Sequence, residues 1–442
     1  MMVWLTSRAL LAVAAPSGDY GGQPANSVDV TQAPYNVDKT GATNVADNLE
    51  GAGGVLATIR DLGKVAYFPA GNYLLSTPLA IPAGCGLVGP YGLGPSAPTA
   101  WLRGQVWYDT DDAVADLKIG PVSAGLSSAR NADGCSGASF IRSHFRGGGG
   151  TVSGDYTCMS IGHGNDVADL SFMDCEWERS LGTTYAGATG YAENTLGITA
   201  QGNTVDGILF NGGTFGVSNG VATGAQRMMV ECWTAQGDSN WWRDLTFKGM
   251  TFEASNIHQL DFACYGPGYT ETPSGRAQNA TVDGCVFKGG GVSEFGTSFG
   301  YGIVSESVLG LTVKNSTFYR CLRPALWLIN FGWPADNDTE VTGNVFNFDV
   351  DYIGQAAARS IMTLCNSNAV VTGNELRSTD ELEGWPYALI EVNGAEEHGV
   401  SGGTGHVITD NTLIHHAAQS YIIREVFGAT GNTLTPNTEV EA

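Results

Sequence analysis

Lysine and arginine are scarce in this chain. They number 21 against 44 aspartates and glutamates, for a formal net charge of −23. Contact with a phosphate backbone needs a basic surface, so nucleic acid is excluded as a partner. No apolar run approaches the length of a membrane-spanning helix, and no membrane partner is expected. Paired cysteines are missing too: the nine cysteines stand singly, with no CxxC and an odd total. Neither a zinc site nor a disulfide framework follows from them. Cys175 and Cys285 read as small buried hydrophobes. Charged residues make up only 15% of the chain while glycines number 62. That balance suits turn-dense β structure and argues against a mainly helical protein.

What the chain does have is a repeat. The octapeptide LTVKNSTF (311–318) has copies ending at Phe145, Trp177, Phe215, Phe252 and Phe287, and after Phe318 at Phe346, Leu376, Leu413 and Leu434. Each copy reads as a short strand, a polar break and a second short strand whose last apolar residue is an anchor. Successive anchors lie 21 to 38 residues apart. Strand–turn–strand units at that spacing stack as coils, each burying its apolar face only against its neighbours. A parallel β-helix is therefore expected. Asn344, Asn374, Asn411 and Asn432 stand two residues before their anchors and are predicted to stack in one hydrogen-bonded file. Between anchors each coil supplies a further strand, among them 229–233, 260–264, 303–306 and 326–330. The widest turns cluster in the middle third, where function is expected to sit.

Residues 1–34, rich in Gly, Pro, Ser and Ala, read as an arm or adaptor. Within them, residues 9–15 (ALLAVAA) after Arg8 resemble a short signal-peptide core. Residues 47–62 place Leu49, Leu56, Ile59 and Leu62 at helical spacing, with Asn44 or Asp47 as a cap. Segments 65–68 and 73–75 then read as a hairpin-like strand pair.

The order from Tyr35 to Gly92, with GKVAYFPAGNYLLSTPL (63–79) at its centre, resembles the N-terminal capping module of the pectate lyase superfamily, which includes polygalacturonases and bacteriophage tailspikes. Asp38, Gly41, Ala42, Tyr67, Phe68, Pro69, Gly71, Tyr73 and Leu74 carry the resemblance. The usual acidic GDG…DD stretch is replaced by ATNVADN (42–48). The resemblance implies an all-β, right-handed parallel β-helix with a capping helix. The expected organisation is an arm over 1–34, a capping module over 35–92 and the β-helix over 93–442. It also implies a polysaccharide ligand and an endo-acting glycoside hydrolase or lyase. The elongated repeat and short N-terminal arm favour a phage tailspike or tail fibre over a secreted pectate-lyase-like or polygalacturonase-like enzyme. Such a spike would be a homotrimer, virion-borne or extracellular, meeting other tail proteins through residues 1–34. A non-catalytic glycan adhesin is the alternative from a different class.

For catalysis, Glu231 and Asp261 are the first choice. Aligning MMVECW with HQLDFAC matches Val230 to Leu260 and sets both acids outward on adjacent coils, ~5 Å apart. Like charges that close push one pKa up, leaving one acid and one base. Trp233, Trp241, Trp242, His258 and Tyr265 are the expected sugar contacts. Glu178 and Glu253 form a second pair, with Lys288 as a competing partner for Glu253. The GHG at 162–164 resembles a polygalacturonase motif, but the residues around it do not match, and His163 reads as a turn histidine. No cofactor is expected. The run Asp109, Asp111, Asp112 is a weak calcium signal, lacking the glycine and distal glutamate of a calcium loop. A lyase would need a Lys, Arg, His or Tyr base instead of the acids, and an adhesin only the aromatics.

Overall fold

The computed structural model describes residues 23–51, 53–90, 98–121, 126–147, 157–180, 184–185, 188–189, 194–219, 228–234, 240–264, 276–290, 300–306, 308–329, 338–352, 360–380, 382, 388–394, 403–419 and 421–442. The chain divides into two compact units, Met1–Gly197 with Val205–Val221 and Ile198–Thr204 with Ala222–Ala442.

In the first unit, strand Ser27–Asp29 pairs in parallel with Val65–Tyr67, which pairs with Gly86–Val88, and so on through Ala113–Ala115, Ser139–Ile141 and Ser171–Glu178. The first coil thus begins at Ser27, inside the expected arm. Val65–Tyr67 and Gly71–Leu74 do not form the expected hairpin. Each pairs in parallel with a strand of the next coil, Gly71–Leu74 with Ala100–Arg103. The core is a stack of rings. Phe140, Phe172 and Phe210 lie 5.0 Å apart and within 9° of parallel, and the anchors Phe145, Trp177 and Phe215 follow at 5.4 and 4.4 Å.

The helix expected over 47–62 is two short helices, Ala46–Leu49 and Val55–Asp61. Gly51, at φ +86°, takes a left-handed conformation that breaks the first one. Leu49, Leu56 and Ile59 are buried as the spacing predicts. Leu62, beyond the last turn, is 60% exposed. Asn44 Oδ1 accepts the Ala46 N–H at 3.3 Å. Asp38 Oδ1 and Oδ2 gather the N–H and O–H groups of Thr40 and Thr43, which hold its carboxyl far below the usual range.

In the second unit the anchors Phe252, Phe287, Phe318 and Phe346 stack at 4.5, 4.5 and 4.7 Å, continued in register by Leu376 and Leu413. Beside them runs the asparagine ladder. Asn374 Oδ1 accepts both the backbone and side-chain N–H of Asn344 at 2.9 Å, and Asn411 Oδ1 does the same for Asn374 at 3.0 and 2.9 Å. Each amide also donates to a strand carbonyl, Asn344 to Val313 and Asn374 to Val341. Gly343 and Gly373, at φ +64° and +66°, make the corner that aims each asparagine inward. The next rung is Asn437 rather than the expected Asn432, because Thr412–His415 pairs with Thr438–Glu441. Asn432 instead accepts the His406 N–H at 2.8 Å, so Leu434 is not an anchor.

A second parallel sheet in this unit runs Met228–Thr234, His258–Cys264, Tyr301–Glu306, Leu326–Ile329, Met362–Cys365, Ala388–Asn393, Tyr421–Val426. Val230, Leu260, Ile303, Leu326, Met362 and Ile390 form one inward rung, each 0% exposed. Strand alternation sends the next residue of each strand outward. That rule positions the site.

Candidate active site

Glu231 and Asp261 are Cα partners on adjacent strands of this sheet, in the register that matches Val230 to Leu260. Their environments differ. Glu231 is half-buried, whereas Asp261 is 0% exposed. His258 Nδ1 lies 3.0 Å from Asp261 Oδ2, the distance of an imidazole N–H donating to a carboxylate. Asp261 Oδ1 is buried without a hydrogen-bond partner among the described residues.

A third acid joins them. Glu306 ends the strand whose Val304 faces Asp261, and it too points outward. It is 7% exposed, and its Oε2 is buried without a hydrogen-bond partner among the described residues. Burial pushes its carboxyl well above the ordinary value, and the negative charges of Asp261 and Glu231 add to the shift. Burial and like charge thus both favour the protonated form of Glu306, in a cluster with two acids of which one reaches solvent.

Aromatic rings flank the acids. Tyr301 stacks on Trp327 at 4.8 Å and 17°, and meets the His258 ring edge-on at 5.2 Å. Val304 and Ile329 complete this patch. Trp233, half-buried, lies two residues beyond Glu231 on the same face, opposite Ala263. Sequence reasoning missed Glu306, Tyr301 and Trp327. The signal was available, since 303–306 and 326–330 read as coil strands, and outward alternation puts Glu306 and Trp327 on the acids' face.

Other expected contacts fall elsewhere. Trp242 is 0% exposed, packed in the core 5.5 Å from Phe262, and offers no face to a sugar. Trp241 belongs to the other sheet of the unit, with Arg243 over its ring at 4.6 Å, and helps line a cavity of about 200 Å³ with Trp242, Arg243 and Gln278. His258 is 9% exposed, and its Nδ1 is engaged with Asp261. Tyr265 lies outside the described residues.

Neither member of the second-choice pair is a free carboxyl. Glu253 forms an ion pair with Lys288 at 2.7 Å. Glu178, in the first unit, is 4% exposed and meets His144 Nε2 at 2.6 Å and Lys118 Nζ at 2.8 Å. Burial raises its pKa, but the hydrogen bonds from His144 and Lys118 outweigh that and bring it down to about 2. A group so firmly ionised cannot donate a proton at neutral pH. Of the acidic run, Asp112 is buried as a turn acceptor, taking the N–H groups of Cys85 at 3.0 Å and Asp109 at 2.7 Å. His163 occupies a turn at φ +53°.

No protein-family model matches the chain, and no curated protein matches it significantly. Among solved structures, the A-module of the mannuronan C-5 epimerase AlgE6 from Azotobacter vinelandii aligns with TM-score 0.50 and 14% identity, over 94% of this chain and 100% of that one. The fold is the right-handed parallel β-helix of pectate lyase type. The Streptococcus pneumoniae surface adhesin PfbA aligns at TM-score 0.45 and 11% identity, over 94% and 100%. The Dettilon tailspike protein aligns at 0.42 and 14%, over 91% of this chain and 68% of that one. At such identities the likeness concerns the fold, and function has to be argued from the site.

Proposed function

We propose that this protein is a polysaccharide depolymerase of tailspike type, a glycoside hydrolase with Glu306 and Glu231 as its catalytic pair. The observation that carries the reading is a buried carboxyl, Glu306, whose protonated form is favoured by burial and by two neighbouring acids, in one cluster with the half-buried Glu231. Glu306 gives its proton to the glycosidic oxygen of the leaving sugar, and Glu231 takes one from the attacking water. Asp261, fully buried, is a positioning residue: its charge adds to burial in keeping Glu306 protonated, and His258 holds it in place. Glu231 and Glu306 sit two strands apart and two residues out of register, about 12 Å between backbones, so their side chains lean toward each other to reach the ~6.5–9.5 Å of an inverting pair. That leaves room for a water and favours inversion at the anomeric carbon. The rings of Trp233 and Trp327 supply faces on which a pyranose can stack.

The wider setting belongs to the same reading: a host surface polysaccharide as ligand, a homotrimer, and a place in a virion tail or outside the cell. The segment before Ser27 would meet other tail proteins. Purified protein incubated with a panel of capsular polysaccharides is expected to release reducing ends without the ultraviolet absorbance of unsaturated lyase products. Proton NMR of the first product should show the inverted anomer. Binding without cleavage would make the protein an adhesin that uses only the aromatic face. Light scattering at the mass of a single chain would remove the trimer.

A further inference from the structure

The chain is poor in cations, with 21 lysines and arginines against 44 acids, yet three cations converge on one indole in the first unit. On the outward face there, Asn72, Trp101, Lys118, His144 and Glu176 are successive Cα partners from coil to coil. Two residues further along those strands come Arg103, Gly120, Arg146 and Glu178. Around the Trp101 ring centroid lie Lys118 Nζ at 5.1 Å, Arg103 Cζ at 5.5 Å and Arg146 Cζ at 5.6 Å. The indole N–H donates to the Gly120 carbonyl at 2.9 Å, which fixes the ring.

Among the described residues the charges in this group do not balance. Lys118 and Arg146 face Glu178 at 2.8 and 3.4 Å, and His144 spans Glu178 at 2.6 Å and Glu176 at 3.4 Å. Burial lowers the His144 pKa, but hydrogen bonds with Glu176 and Glu178 more than offset this and raise it. Arg103 makes no ion pair among the described residues, and its Nε is buried without a hydrogen-bond partner among them. Among the described residues, three permanent cations and a histidine thus face two carboxylates. Like charges gathered around one ring repel unless something negative sits among them. The backbone leaves a place for it. Gly120, at φ +131°, falls between Arg103 and Arg146, and a Cβ there would lie 1.5 Å from the Arg146 carbonyl oxygen. The floor between the two guanidinium groups therefore carries no side chain.

We infer that Trp101, Arg103, Lys118 and Arg146 form a binding site for an anionic sugar, separate in its residues from the acid cluster. The indole carries a pyranose face, and the guanidinium forks take the sugar's carboxylate or sulfate oxygens. The site binds and breaks no bond. It stands whether or not the acid cluster cleaves anything.

The test is calorimetric titration of the full chain in a Glu306→Gln background, which prevents turnover. The probes are a hyaluronan hexasaccharide bearing carboxylates, its carboxyl-reduced neutral form, and a carrageenan hexasaccharide bearing sulfates. At least one anionic probe is expected to bind at least ~10-fold tighter than the neutral one and to weaken as salt rises. Preference for the first marks a uronate, and for the third a sulfated sugar. Arg103→Gln should remove ~10-fold of that affinity with an unchanged melting temperature, and Arg103→Lys should lose less. Trp101→Leu should weaken every probe that binds. Neutral and anionic probes binding alike, no anionic probe binding, or full affinity in both Arg103 variants would each overturn the assignment.

Discussion

Glu178 and Glu306 make an instructive pair. Each is a glutamate on an outward-facing strand position, each is nearly buried at 4% and 7% exposure, and the two belong to different units. Burial pushes both toward the protonated form. Around Glu178 the neighbouring coils present Lys118, His144 and Arg146, and the carboxyl falls to about 2. Around Glu306 they present Asp261 and Glu231, and the carboxyl rises well above its usual range. Surface exposure is nearly the same while Glu306 lies deeper, and the opposite signs of the adjacent side chains drive the two carboxyls further apart. An ion-paired glutamate fastens coils together. One that favours its proton has something to give away.

The largest change is expected from Glu178→Ala, which leaves Lys118, His144 and Arg146 facing a void. Removing one partner of a buried ion pair costs roughly 3–5 kcal/mol, to be read from urea unfolding. Glu306→Gln should do the reverse: little or no loss of stability, and at least ~100-fold lower turnover in a reducing-end assay. Equal turnover in Glu306→Gln and wild type would remove the catalytic half of the contrast. Asn374→Leu sets the scale for an uncharged loss. It strands the backbone N–H of Asn344 and the Val341 carbonyl, at roughly 1–3 kcal/mol.

The smallest effect is a slope with pH, and it has opposite signs at the two sites. The folded pKa of Glu178 is below its ordinary 4.5, so its contribution is present above that value and is lost as pH falls toward about 2. The folded pKa of Glu306 is above 4.5, so the folded state holds the extra proton and stability declines as pH rises past that value. The decline is at most about 1.4 kcal/mol per pH unit. Unfolding stabilities measured from pH 4.5 upward should therefore fall less steeply in Glu306→Gln than in wild type. Identical slopes would show that Glu306 is not the proton holder.

Much of the fold was legible because coils repeat. The anchors ending at Phe252, Phe287, Phe318 and Phe346 were read from spacing, and they stack. The register of Glu231 with Asp261 came from aligning two hexapeptide-sized strands, since one inward apolar residue in each pins the rest. Asn432 was misread for Asn437 because the TGN corner recurs near the last coil without lying in the same file. The pair Trp241–Trp242 held a clue in plain view: adjacent strand residues point to opposite faces, so one of the two had to enter the core. Glu306 was hidden for a different reason. Its burial and its charged neighbours come from three separate coils, and no stretch of sequence displays that sum.

The asparagine ladder has an implication for how such a chain changes length. Every rung offers the preceding coil the same oxygen and asks the following coil for the same one: Asn344 accepts from Ser316, Asn374 from Asn344, Asn411 from Asn374. The rungs are therefore interchangeable. Excising one coil between matched positions, with Gly343 joined to Asn374, would present Ser316 with an oxygen it cannot tell from the original. Phe318 would then face Leu376 in place of Phe346. The protein is built like a ruler whose divisions can be cut out or duplicated by recombination without redesigning the marks on either side.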